Sequence, residues 1–158
     1  MSSSQSASIL RRAAASLGWG TDTGCAGCLG LSMGGYAALR LAGEFSDRFA
    51  GASAHSAITV DEQFDLVIAE PRSGWSHAPE DRSVVAALTL ASRPAPIRFD
   101  CGLDDPLLPA NRRLHAELEV LGVAHRFEVR PGGHDWTYWS KAIERSLLFF
   151  SELSASSA

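Results

Sequence analysis

Gly30-Leu31-Ser32-Met33-Gly34-Gly35 sets one serine in a G-x-S-x-G frame between a short apolar run and a helical pattern. Ala26, Cys28, Leu29 and Leu31 read as a short buried strand before the motif, and Tyr36, Ala37, Leu39, Leu41 and Ala42 as a helix after it. A serine at such a strand-to-helix turn holds its hydroxyl clear of the backbone, as a nucleophile must. The turn is tight, so small residues are needed two places before and two places after, and Gly30 and Gly34 meet that demand. A glycine-rich turn with an incidental serine is the competing reading, and the rest of the chain has to decide between the two.

An acid and a base follow in the order Ser, Asp, His expected of an α/β-hydrolase triad. Ile97-Arg98-Phe99-Asp100-Cys101 reads as a strand, and Gly102-Leu103-Asp104-Asp105-Pro106 as the turn that leaves it. A carboxylate at the carboxyl end of a strand can orient a histidine and stabilise its imidazolium. Asp104 and Asp105 both fit. One is expected to cap the turn, or the helix beginning near Pro109-Ala110-Asn111, and the other to act as the acid. His125 to Val129 alternates as a strand does, and Pro131-Gly132-Gly133-His134-Asp135-Trp136 is the glycine-rich loop after it. Its two glycines let the loop fold over the sheet, so that one ring nitrogen of His134 faces Ser32 and the other the acid. Among the other histidines, His115 and His77 read as surface residues. His125 begins a strand, and His55 lies at a strand's end.

With these sites placed, the chain resembles the esterase D-like branch of the α/β-hydrolases, which includes S-formylglutathione hydrolases, feruloyl and acetyl esterases and mycolyltransferases. The likeness rests on GLSMGGYAALRLA at 30–42, DCGLDDPLLPANRRLHAEL at 100–118 and GGHDWTYW at 132–139. It implies Asp105 rather than Asp104 as the acid, because the acid of this pattern stands three places after the glycine. It also implies Ser32 as nucleophile, His134 as general base and the Met33 backbone N–H as one oxyanion donor. The implied activity is a serine esterase that hydrolyses a small carboxylic ester through an acyl-enzyme, or an acyltransferase using the same triad. Relatives carry a long segment before the elbow, with the first strands and the loop that gives a second oxyanion donor; here Ser32 stands near the start. The nucleophile strand is then expected to be a sheet edge, with self-association or a partner covering it. Loss of one oxyanion donor is expected to slow turnover by on the order of a hundred- to a thousandfold. A truncated or inactive fragment serving as an interaction module, and a peptidase, are the alternatives.

The spacing predicts helix at 7–18, strand at 26–31, helix at 33–43, strand at 49–54, strand at 97–101, helix at 109–121, strand at 124–130 and helix at 137–151. Such alternation points to a partial α/β-hydrolase fold, a parallel sheet of about four strands flanked by helices, within one domain over 1–158. Region 57–95 reads as a crossover that walls the pocket. Trp136, beside His134, is a candidate substrate contact, while Tyr138 and Trp139 read as core or rim packing.

A formal net charge of −4 at pH 7, with 46% hydrophobic and 20% charged residues, suits a globular protein and offers nothing to nucleic acid or anionic lipid. A small-molecule ester is the expected partner, with no cofactor and no metal. The three cysteines cannot all pair within the chain, and no apolar segment is long enough for a signal peptide or membrane span, so a cytoplasmic location is expected. Cys25-Ala26-Gly27-Cys28 has redox or metal spacing without a second pair, and its thiols read as small buried side chains. The serine-rich start with Arg11 and Arg12 has transit-peptide character, against which stands its fit as a helix of the fold.

Overall fold

A strand followed by a helical crossover returns the chain in the same direction, so repeated strand–helix units build a parallel sheet. The computed structural model describes residues 26–66, 83–90 and 94–156. Its strands β1 (Gly27–Leu31), β2 (Gly51–His55), β3 (Ile97–Gly102) and β4 (His125–Arg130) pair in that order, all parallel. The helices are α1 (Met33–Glu44), α2 (Val84–Leu90), α3 (Leu108–Val120) and α4 (Trp136–Ser156), with a 3-10 helix at Asp61–Leu66. The expected α/β class and strand positions hold. α4 runs to Ser156, past the predicted end at 151, because Phe149 and Phe150 still pack and the serines beyond them stay helical. The helix expected at 7–18, Cys25, and Trp75 and His77 of the crossover lie outside the described residues.

Alternation along the strands sorts the sheet into two unlike faces. Ala52, Ala54, Ile97 and Phe99 point into an apolar core with Leu39 and Ala42 of α1, Val84 and Leu88 of α2, and Leu114 and Leu118 of α3. Leu39 and Leu118 are fully buried, so truncating either to alanine would cost about 2–5 kcal/mol. The opposite face carries Ser53, His55, Arg98 and Asp100, all buried, and α4 covers it. The carboxyl end of every strand then delivers a residue of interest to one rim: Ser32 after β1, Ser56 after β2, Asp105 after β3 and His134 after β4. Among the described residues no helix is long and apolar enough to cross a membrane.

Candidate active site

Ser32 leaves β1 with φ 52° and ψ −117°, a conformation that non-glycine residues seldom adopt. Strain of this kind costs on the order of 1–3 kcal/mol and persists only where the surroundings over-determine it. Here Ser32 N–H donates to the His55 carbonyl at 2.9 Å, and the Ser32 carbonyl accepts from Tyr36 N at 3.1 Å and Ile58 N at 3.2 Å. The glycines around it are unequal. A Cβ on Gly30 would lie 2.0 Å from the Gly34 carbonyl oxygen, whereas one on Gly34 would meet nothing within 4 Å. The expectation that both flanks must be small is thus corrected: Gly34, in the first turn of α1, would point its Cβ into open space. The tight inner contact belongs to Gly35, whose Cβ would stand 3.0 Å from that of Ala57.

The Ser32 side chain makes no cap bond to α1. Its Oγ instead lies 3.0 Å from His134 Nε2. On the other side of the ring, Nδ1 is 3.0 Å from Asp105 Oδ2 and 3.2 Å from Oδ1. With its proton on Nδ1, the imidazole donates to the carboxylate and presents Nε2 to the hydroxyl. The Asp105 side chain is fully buried and that of His134 is 24% exposed, so the base faces solvent while the acid does not. Asp105 Oδ1 also accepts from Leu107 N at 2.8 Å. One aspartate therefore both closes the turn and meets the imidazole, where the sequence suggested a division of labour. Asp104 is exposed and contributes its backbone N–H to the Gly132 carbonyl at 2.9 Å. The His134 loop lies close over β3, since a Cβ on Gly102 would stand 2.2 Å from that same carbonyl oxygen.

Met33 opens α1, where first-turn N–H groups lack intrahelical acceptors and the helix dipole presents its positive end. Its side chain and that of Trp136 are exposed, and Trp136 meets Trp139 edge to face at 5.4 Å. A cleft of about 560 Å³ opens beside the histidine loop, lined by Arg130, Pro131, Gly132, Asp135, Lys141 and Arg145 among others. Ser32, Asp105 and His134 do not line it, so it is not where an ester would meet the serine.

Beneath α4 lies a polar cluster that the sequence did not reveal. His55 Nδ1 is 2.9 Å from both Asp100 oxygens, and His55 Nε2 is 2.7 Å from Ser146 Oγ. Ser146 meets Ser53 Oγ at 2.7 Å, Arg98 donates to Ser53 at 3.0 Å and to Asp100, and the Tyr138 hydroxyl donates to Asp100 at 2.7 Å. A neutral His55 satisfies the cluster: Arg98 donates to Ser53, Ser53 to Ser146, Ser146 to His55, and His55 to Asp100. Burial alone would raise the Asp100 pKa, but the hydrogen bond from His55 and the Arg98 guanidinium bring it below the usual 3.8. Burial and the neighbouring Asp100 push the Tyr138 phenol up. Ser146, His55 and Asp100 thus repeat the serine–histidine–aspartate pattern, yet all are fully buried and no ester reaches them.

Two smaller readings also change. His115 is half-buried rather than a surface residue, its Nδ1 2.7 Å from His125 Nε2 and its ring tilted on Phe127. Cys28 is a half-buried free thiol, its pKa pushed up to about 11 by burial. Among the described residues no group of three His, Cys, Asp or Glu side chains is arranged to hold a metal ion.

A parallel sheet with a serine on a strained strand-to-helix turn, facing a histidine brought from the end of a later strand, is the architecture of the α/β-hydrolases. Residues 15–150 match the family described as "Putative esterase", and the chain belongs to that family. It is 29% identical to an acetyl esterase of Caldicellulosiruptor saccharolyticus, over 79% of this chain and 54% of that protein. In fold it is similar to an S-formylglutathione hydrolase of Staphylococcus aureus, with TM-score 0.76, 22% identity, and 90% of this chain and 61% of that one covered. A ferulic acid esterase aligns with TM-score 0.65 and 32% identity over 79% of this chain and 50% of its own. The chain thus spans between half and about three fifths of the length of these proteins.

Proposed function

We propose that this chain is a serine esterase that cleaves a small carboxylic ester through an acyl-enzyme. The observation that carries the reading is the single imidazole of His134 standing 3.0 Å from Ser32 Oγ on one side and 3.0 Å from the buried Asp105 carboxylate on the other. Ser32 Oγ attacks the ester carbonyl while His134 Nε2 takes its proton, and Asp105 stabilises the imidazolium. The tetrahedral oxyanion accepts from Met33 N–H at the positive end of α1. As the carbon–oxygen bond breaks, the leaving alkoxide takes the proton from Nε2. Water, activated by the same nitrogen, then attacks the acyl-serine and releases the carboxylic acid, restoring Ser32. Met33, next to the serine, and Trp136, packed on the Trp139 ring that meets His134, offer apolar surface for the substrate. The free thiols Cys28 and Cys101 fit action in a reducing cytoplasm.

A p-nitrophenyl acetate assay on the full chain tests the assignment. Ser32→Ala and His134→Ala are each expected to abolish turnover above the spontaneous rate, a fall of at least about a thousandfold. Turnover unchanged in either variant would remove these residues from the reaction.

A further inference from the structure

Trp139 lies in the first turn of α4 and touches His134 directly. The two rings meet edge to face, with centroids 5.0 Å apart and planes at 81°. Trp139 Nε1 donates to Ser56 Oγ at 3.2 Å. Ser56 is the residue after β2, fully buried, and it holds φ 49° without being glycine. Its N–H donates to the Asp100 carbonyl at 2.7 Å, and the next carbonyl, that of Ala57, accepts from Asn111 Nδ2 at 2.8 Å. A backbone bent this way is retained where its surroundings over-determine it, and glycine would adopt it without penalty. A serine at this place is explained by what its side chain does. The contacts therefore run in a chain from Ser56 through Trp139 and His134 to Asp105. Within it the imidazole, mounted on a glycine-rich loop, has a contact on its ring in addition to those on its two nitrogens.

We propose that Trp139, held by Ser56, is a positioning residue that fixes the orientation of the His134 imidazole between Asp105 and Ser32. The structural claim stands on these contacts, and only its catalytic consequence rests on the esterase reading above. A group held to within a fraction of an ångström is what makes proton transfer from Ser32 efficient, and losing that hold is expected to slow acylation roughly ten- to a hundredfold.

The experiment uses the full chain with 15N-labelled histidine and follows the His134 Nδ1–H resonance, the melting temperature and the rate at which a fluorophosphonate probe labels Ser32. Ser56→Gly keeps a residue suited to the backbone bend, so it should melt close to wild type, yet it removes the acceptor for Trp139. Trp139→Phe removes the donor. Both are expected to broaden the His134 N–H signal by exchange and to slow labelling by the factor above. Ser146→Ala, which cuts the buried cluster far along α4, should melt lower with the His134 signal and labelling rate unchanged. An unaltered His134 signal in Ser56→Gly, which folds whether or not Trp139→Phe does, overturns the proposal. So does a Ser146→Ala variant that broadens the signal equally, since general loosening would then suffice. If wild type is never labelled but its His134 signal still responds to Ser56→Gly, the positioning holds and the esterase reading fails. Equal labelling of wild type and Ser56→Gly, with identical signals, has the opposite meaning.

Discussion

Gly30 and Gly34 stand symmetrically about Ser32 in the sequence and unequally in space. Alanine at Gly30 would drive its Cβ into the first turn of α1, 2.0 Å from the Gly34 carbonyl oxygen, and relief requires moving the turn that holds the serine. Gly30→Ala is expected to lose about 1–3 kcal/mol from overpacking, and with it the proposed esterase turnover. Gly34→Ala faces open space and places a strong helix former in α1, so it is expected to gain about 0.5–1 kcal/mol, or a melting temperature higher by about 1–4 °C. Thermal denaturation of the two variants checks both signs, and equal destabilisation would refute the asymmetry. The motif letters could not separate these glycines, because they record that a turn is tight and not which side of it is crowded. Ser32 and His134 stood out because each sits on a glycine-rich turn, whereas the turn after β3 offered Asp104 and Asp105 alike and only the family resemblance favoured Asp105, the one the structure sets beside His134. Ser56 was not legible. Its positive φ and its bond to Trp139 depend on the meeting of β2 with α4, and no local pattern encodes that.

Strands β2 and β3 show why the buried cluster also escaped the sequence. Gly-Ala-Ser-Ala-His and Ile-Arg-Phe-Asp-Cys-Gly alternate apolar with polar, which reads as one face in the core and one in water. Alternation does identify the apolar face. It is silent on whether a helix covers the other, and here α4 does so with Tyr138 and Ser146, so that Arg98, Asp100, His55 and Ser53 satisfy one another out of water. An element held this way should respond to acid. Asp100 has a folded pKa below its ordinary 3.8, so it contributes stability above that pH, and the contribution is lost as pH falls through the folded value. Melting temperature should therefore drop steeply as pH is lowered into the carboxylate range. Asp100→Asn should be less stable at neutral pH by about 3–5 kcal/mol, because Arg98 keeps a buried charge, and its acid slope should be shallower. An equally steep slope in the variant would place the acid-sensitive group elsewhere.

Across the whole sheet, β1 and β4 are the two edge strands: β1 pairs with β2 alone, and among the described residues nothing pairs with its outer side. Exposed strand edges recruit further strands unless charge, proline, a bulge or a covering segment protects them. Gly27-Cys28-Leu29-Gly30-Leu31 contains neither charge nor proline, and Leu29 is 41% exposed on the face that α4 covers at Gly27. A second copy of the chain is the proposed occupant, since it supplies the same uncharged strand at the same concentration and with matching hydrogen-bond spacing. Such pairing would engage the strand that carries Ser32, so association and the geometry of the elbow should vary together. Size-exclusion chromatography with light scattering is expected to give a mass that rises above the monomer with concentration. Leu29→Lys, which sets a charge on the edge, should return it to the monomer with the fold intact by circular dichroism. A wild-type chain that stays monomeric at every concentration would show that this edge does not recruit a second copy.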